Sequence, residues 1–329
     1  MSAGKGAPTS APVKIIAVTA ARDGVGKSTF AVNAALSLLK ETRSRVLVMD
    51  LDVESVGDCA AMMGMGQVKT LADFAPYAAQ LQPAQLRQYI SAHPAGIGLL
   101  PLSAAPGVEV TPEAVGQLIE VIKPLCDYIV VDCGAGINDV TVKAFEQAAA
   151  VFVLATPDLP VLNHTARFLE RLRGLHFPKE QVKVVLNAYD PQGGVAVDLV
   201  TRKLERKVLV TLADAPAEAR RASLTGKPFV IDQPRARISR VYDEFIRKLV
   251  ELGTLDALAV AARPTGRGGL GGAASLSADA AREIEEFRKK RGSKAGKTEA
   301  LDPKSAVKML IHKRIVEVMD PKDLDVGEG

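Results

Sequence analysis

The run Ala21-Arg22-Asp23-Gly24-Val25-Gly26-Lys27-Ser28-Thr29 places two glycines, an ammonium and two hydroxyls between an apolar stretch and an apolar-periodic one. That strand–loop–helix setting is what gives such a loop chemical meaning. Glycines let backbone N–H groups close around phosphate oxygens, and a helix N-terminus adds partial positive charge. In this arrangement Lys27 reaches the β and γ phosphates of a nucleoside triphosphate and the Ser28 hydroxyl ligates Mg²⁺. The competing reading, a plain Gly-rich turn, accounts for the glycines but not for their context.

Two acidic strand ends accompany the loop. One apolar run ends in Asp50-Leu51-Asp52, and a later one ends in Val130-Val131-Asp132-Cys133-Gly134-Ala135-Gly136. Ligands of doubly wound sheets gather at the carboxyl ends of the strands, so these acids are expected to converge on the loop. Asp132 is assigned to Mg²⁺ through water. Asp52 is assigned to the attacking water beside the metal, because phosphoryl transfer needs positioning and charge neutralisation more than a strong base. The alternative for each is a helix cap or a solvated strand end, and for Asp50 both readings stay open.

The elements that must position these residues alternate along the chain. Short β-branched runs fall at 14–19, 45–49, 97–100, 128–131, 150–154, 182–186 and 208–211, and helical patterns fall at 28–40, 112–125, 139–149, 161–173, 195–205 and 215–224. Such alternation predicts one doubly wound, mostly parallel α/β domain, residues 13–253. A last helix at 235–252 carries Ile238, Val241, Phe245, Leu249 and Leu252 as an apolar stripe to dock on the sheet. Residues 1–12 read as a disordered tail, 254–277 as a Gly/Ala-rich linker, and 278–329 as a flexible helical tail.

With 329 residues, 47% of them hydrophobic, the chain can bury one large core. A formal net charge of +4 does not by itself call for nucleic acid. Cys59, Cys126 and Cys133 lie in or beside apolar stretches, which suits buried thiols in a reducing cytosol rather than a disulfide frame or a zinc site. No apolar run approaches the roughly 20 residues of a membrane span, and the N-terminus lacks a signal-peptide core.

Taken in order, the loop, Asp-x-Asp, Val-Val-Asp with Gly-Ala-Gly, Ala155-Thr156-Pro157-Asp158 and Asn187 resemble the ParA/MinD family of deviant Walker P-loop ATPases over residues 13–252. The resemblance implies ATP and Mg²⁺ as ligands and a homodimer closed by ATP. It also implies Asn187 on the adenine edge, and Asp214, Ala215 and Pro216 closing over the base. Within the family, a helical segment at 84–90, Gly98-Leu99-Leu100-Pro101, Thr111-Pro112-Glu113 and Asp127–Asp132 look most like the CpaE and TadZ members of Tad pilus assembly. Residues 310–320 are similar to the start of the motor ATPase of the same pili, a likeness that a short amphipathic helix also reaches by chance.

The departures bear on turnover. The family's loop reads Lys-Gly-Gly-x-Gly-Lys-Thr, and its first Lys contacts the partner's phosphates across the dimer. Here that position is Arg22, which keeps the charge and adds a planar fork. Asp23 replaces a glycine and sets a carboxylate beside a polyanion: it either faces away, pairing with Arg22, or weakens nucleotide binding. Slow or conditional hydrolysis is the expectation. Basic clusters at Arg202, Lys203, Arg206 and Lys207 and at Arg220, Arg221, Arg235, Arg237 and Arg240 read as solvated faces, with nonspecific DNA contact as the alternative. The last helical pattern, with Val307, Ile311, Ile315 and Val318 on one side, suits a partner more than a membrane surface. Met62, Met63 and Met65 read as packing residues, and the four histidines show no metal or relay spacing.

Overall fold

The computed structural model describes residues 12–52, 58–66, 68, 70, 80–101, 110–193 and 195–256. In chain order the elements are β1 (Lys14–Ala20), α1 (Lys27–Thr42), β2 (Val46–Asp50), α2 (Asp58–Met62), α3 (Pro83–Arg87), β3 (Ser91–Ala92), β4 (Gly98–Pro101), α4 (Pro112–Ile122), β5 (Tyr128–Ala135), α5 (Asp139–Gln147), β6 (Ala150–Ala155), α6 (Leu159–Gly174), β7 (Val182–Tyr189), α7 (Val197–Leu204), β8 (Val208–Ala213), α8 (Pro216–Thr225), α9 (Phe229–Asp232) and α10 (Arg237–Glu251).

The strands form one sheet in the order β3-β4-β2-β5-β1-β6-β7-β8. Every pairing is parallel except β3 with β4. The central strands are buried on both faces, which is why they read as continuous apolar runs instead of alternating ones. Successive residues still feed different layers. Ile15 and Ala17 pack with Leu118, Phe145 and Leu169 on one side, whereas Ile16 and Val18 pack with Phe30, Leu38 and Phe245 on the other.

The second layer is organised around Phe30 of α1, fully buried, whose ring centroid lies 5.9 Å from Phe152, 5.7 Å from Tyr242 and 6.3 Å from Phe245. Polar bonds fix the same helix pair: the Ser37 hydroxyl donates to Asp243 at 2.9 Å and Lys40 pairs with the same carboxylate.

The doubly wound parallel sheet is as expected from the sequence, with instructive differences. β5 continues four residues beyond the expected end, because β1 keeps pairing with it as far as Ala20 with Ala135. β3, α2 and α9 give no pattern in sequence, being two, five and four residues long. In α10 the buried stripe is Ile238, Tyr242, Phe245, Ile246 and Leu249, while Leu252 is 77% exposed. The helix is therefore rotated from the face that aliphatic spacing alone suggested, because Tyr242 supplies a ring that Phe30 can pack against. Met63 is buried, in keeping with a packing role, and all three cysteines are buried and free. The N-terminal tail through residue 11 and the linker and helical tail from 257 onward lie outside the described residues. Among the described residues no helix is long and apolar enough to cross a membrane.

Candidate nucleotide and metal site

The loop leaves β1 at Ala20 and enters α1 at Lys27, one residue before the expected helix start. Gly26 is the N-cap in the left-handed region at φ 91°, and Gly24 has φ 79°. Ala21, Arg22 and Asp23 do not have positive φ, so the absence of glycine at 21 and 23 strains nothing in the backbone. A Cβ added at Gly24 would meet nothing within 4 Å, so the space in front of the loop is open.

Lys27 turns its ammonium onto Asp23, with Nζ 2.8 Å from Oδ1. The lysine side chain is 6% exposed and the aspartate 67% exposed. Asp23 therefore neither faces away nor pairs with Arg22, which is exposed and forms no ion pair among the described residues. The reason is that the loop curls back between β1 and α1 through Gly24 and Gly26, bringing the Asp23 carboxylate over the first residue of the helix, where the buried Lys27 needs a counterion.

The acids converge through sheet pairing. β2 and β5 run side by side, placing Asp50 opposite Asp132. Asp132 is fully buried; it accepts a hydrogen bond from the Gly134 N–H at 3.3 Å, and the Ser28 side chain lies near enough to favour its charged form. Burial raises its pKa above the ordinary carboxylate value, against the pull of Ser28, Gly134 and Lys27. Asp50 is pushed up to about 7, first by burial and then by the charge of Asp132. Its Oδ1 accepts from the Asp52 N–H at 3.1 Å, while its buried Oδ2 has no hydrogen-bond partner. Asp52 is buried, and Gly134 comes so close that an added Cβ there would lie 2.8 Å from its Cγ. The Cys59 thiol completes the cluster: it donates to Asp132 Oδ2 at 3.6 Å, and its ligand atom lies within 4.8 Å of those of Asp50 and Asp132.

This donor set fits MgATP. Two carboxylates and a hydroxyl are the oxygen ligands that a hard divalent cation takes, and a buried acid with an orphaned oxygen is relieved by a cation. Lys27, the glycine-lined opening and the start of α1 suit the phosphates. Thr29 donates to the Met62 sulfur at 3.7 Å, so its hydroxyl packs against α2 instead of facing the loop.

Asn187, on β7, is tied to the loop. Its Nδ2 donates to the Val25 carbonyl at 2.8 Å and stands 2.5 Å from where a Gly26 Cβ would be. Asp214 and Pro216 are exposed, at the end of β8 and the start of α8, and the Asp214 N–H donates to the Tyr189 carbonyl at 3.1 Å. Sequence reasoning missed Thr19, whose hydroxyl donates to the Gly134 carbonyl at 3.0 Å, and the approach of Cys59 to Asp132. Neither carries a local signal, since both depend on which strands and helices are neighbours.

A family profile described as "ParA: NUBPL iron-transfer P-loop NTPase" matches residues 12–250. The chain belongs to the ParA/MinD family of P-loop NTPases. It is 25% identical over 243 residues to the septum site-determining protein MinD of Thermotoga maritima, covering 71% of this chain and 87% of that one. It is 26% identical over 259 residues to the chromosome partitioning protein ParA of Caulobacter vibrioides, covering 73% and 94%. Among solved structures, MinD of Pyrococcus horikoshii complexed with Mg-ADP superposes with a TM-score of 0.63 at 19% identity, covering 73% of this chain and 97% of that one. Members of this ParA/MinD family are ATPases that use nucleotide with Mg²⁺, and the loop and acid cluster of this chain carry the corresponding residue types.

Proposed function

We propose that this ParA/MinD-family chain binds MgATP and hydrolyses it slowly, acting as a dimeric localisation or assembly factor whose apparatus is a Tad/Flp-type pilus or related secretion system. The observation that carries the nucleotide half is the buried Lys27 beside the buried Ser28 and Asp132 and next to a loop with two left-handed glycines. The apparatus half draws on the resemblance of residues 84–132 and 310–320 to Tad assembly proteins.

The bound nucleotide would supply the γ-phosphoryl group and its metal the divalent charge. Lys27 would neutralise β and γ oxygens, and the N–H groups of Asp23, Gly24, Val25 and Gly26 would line the phosphates. Ser28 would be the direct metal ligand and Asp132 would hold the metal's water. Asp52 would orient the attacking water, Asn187 would serve the base from beside the loop, and Asp214 and Pro216 would cover it. Arg22, exposed on the loop, would reach a second copy's phosphates.

Titration with a fluorescent ATP analogue together with phosphate release tests this reading. Mg²⁺-dependent binding is expected, with turnover well below that of motor ATPases and lower still in Arg22→Ala and Asp132→Asn. Binding without any phosphate release supports a second reading, a nucleotide-holding scaffold, for which the Asp23–Lys27 pair is the specific observation. A partitioning-type role on DNA has less support, because the formal net charge is only +4 and Arg221 of the second basic cluster is paired with Asp232 at 3.0 Å. ATP-dependent association with a purified Tad-type motor ATPase, lost on deleting residues 305–319, tests the apparatus.

A further inference from the structure

We propose that Asp23 is an intramolecular competitor for the phosphate: its carboxylate occupies Lys27 when no nucleotide is bound, and binding exchanges that ion pair for the phosphate contact. The inference rests on the nucleotide site proposed above and adds a residue that sets its affinity.

Three observations carry it. The Lys27 ammonium is nearly buried, 6% exposed, and its partner is Asp23 Oδ1 at 2.8 Å. A buried ammonium without a counterion is costly, so the Asp23 carboxylate offsets the burial of Lys27 before ligand arrives. Asp23 itself is 67% exposed and free of positive φ, so its side chain can rotate into solvent without moving the backbone. The loop beside it is open, with nothing within 4 Å of a Cβ built on Gly24.

A carboxylate and a triphosphate cannot share one ammonium without strong repulsion between them. Phosphate therefore displaces Asp23, and the affinity measured is the phosphate contact less the ion pair it replaces. This competition acts through charge, so it is graded: strongest for ATP, weaker for ADP, and nearly absent for AMP, whose single phosphate reaches the loop least.

The test compares the full-length protein with Asp23→Asn, Asp23→Ala and Asp23→Glu, using calorimetry with ATP, ADP and AMP in Mg²⁺ and thermal melts without nucleotide. Asn and Ala are expected to bind ATP about three- to tenfold tighter, ADP less so and AMP within twofold, with a lowered melting temperature in the absence of nucleotide and a larger rise on adding ATP. Glu keeps the carboxylate and stays within about threefold of wild type. Equal tightening for all three nucleotides, or none in folded Asn and Ala variants, overturns the competition while leaving the nucleotide site intact. Failure of wild type and variants alike to bind ATP at millimolar concentration overturns the site itself and this inference with it.

Discussion

The carboxylate of Asp52 and the backbone of Gly134 pack so closely that a Cβ on Gly134 would fall 2.8 Å from Asp52 Cγ. Gly134 has φ 66°, its N–H donates to Asp132, and its carbonyl accepts from Thr19. One glycine thus touches both Asp132 of β5 and Asp52 just after β2. Gly134→Ala is expected to cost about 1 kcal/mol from the left-handed backbone alone and to displace Asp52 as well. ATP turnover is expected to fall at least about tenfold while the dissociation constant for ATP moves less than about threefold, since the role proposed for Asp52 is to orient the attacking water and not to hold the phosphates. Unchanged turnover in a folded variant would mean that Asp52 has no part in the reaction.

Asn187 straps the loop, donating to the Val25 carbonyl at 2.8 Å across 162 residues of sequence. Its contact with the loop predicts an effect on ligands that lack a base. Asn187→Ala should weaken inorganic triphosphate about as much as ATP, by about three- to tenfold, the scale of one net hydrogen bond. Loss confined to ATP, with triphosphate unaffected, assigns Asn187 to the adenine alone. Gly26→Ala, which meets Asn187 Nδ2 at 2.5 Å in a residue of φ 91°, should abolish binding of both.

At the opposite, amino-terminal end of the strands, Arg45 and Asp127 hold β2 to β5. Arg45 Nη2 donates to Asp127 Oδ1 at 2.7 Å, and the Arg45 N–H donates to Oδ2 at 2.8 Å. The guanidinium keeps the Asp127 carboxyl below its ordinary value. A group with a depressed folded pKa contributes stability above the unfolded value, near 4, and loses it as pH falls through the folded one. Asp127→Asn should therefore lower stability at pH 7 by about 0.5–1 kcal/mol, a value kept small by exposure of both partners. The gap to wild type should close toward pH 2. Urea melts at the two pH values check this, and a gap that persists in acid points to packing in place of charge.

The phosphate-loop candidate was legible because its signal is local. Gly24, Gly26, Lys27 and Ser28 lie on a backbone turn and a helix start that consecutive residues build, and the strand–helix alternation follows from apolar runs buried on both faces. The sequence determined the family, the parallel sheet and the list of acids. Tertiary structure alone decided which of them meet. Asp50 faces Asp132 because β5 lies between β1 and β2. Asn187 reaches Val25 because β7 follows β6 outward from β1. Tyr242 packs in the core against Phe30, while Leu252, just past the end of α10, is exposed. The least foreseen outcome concerns Asp23. Sequence shows a carboxylate where a glycine is usual, but its partner is fixed by a buried ammonium that needs a counterion, and burial is a property of the folded chain.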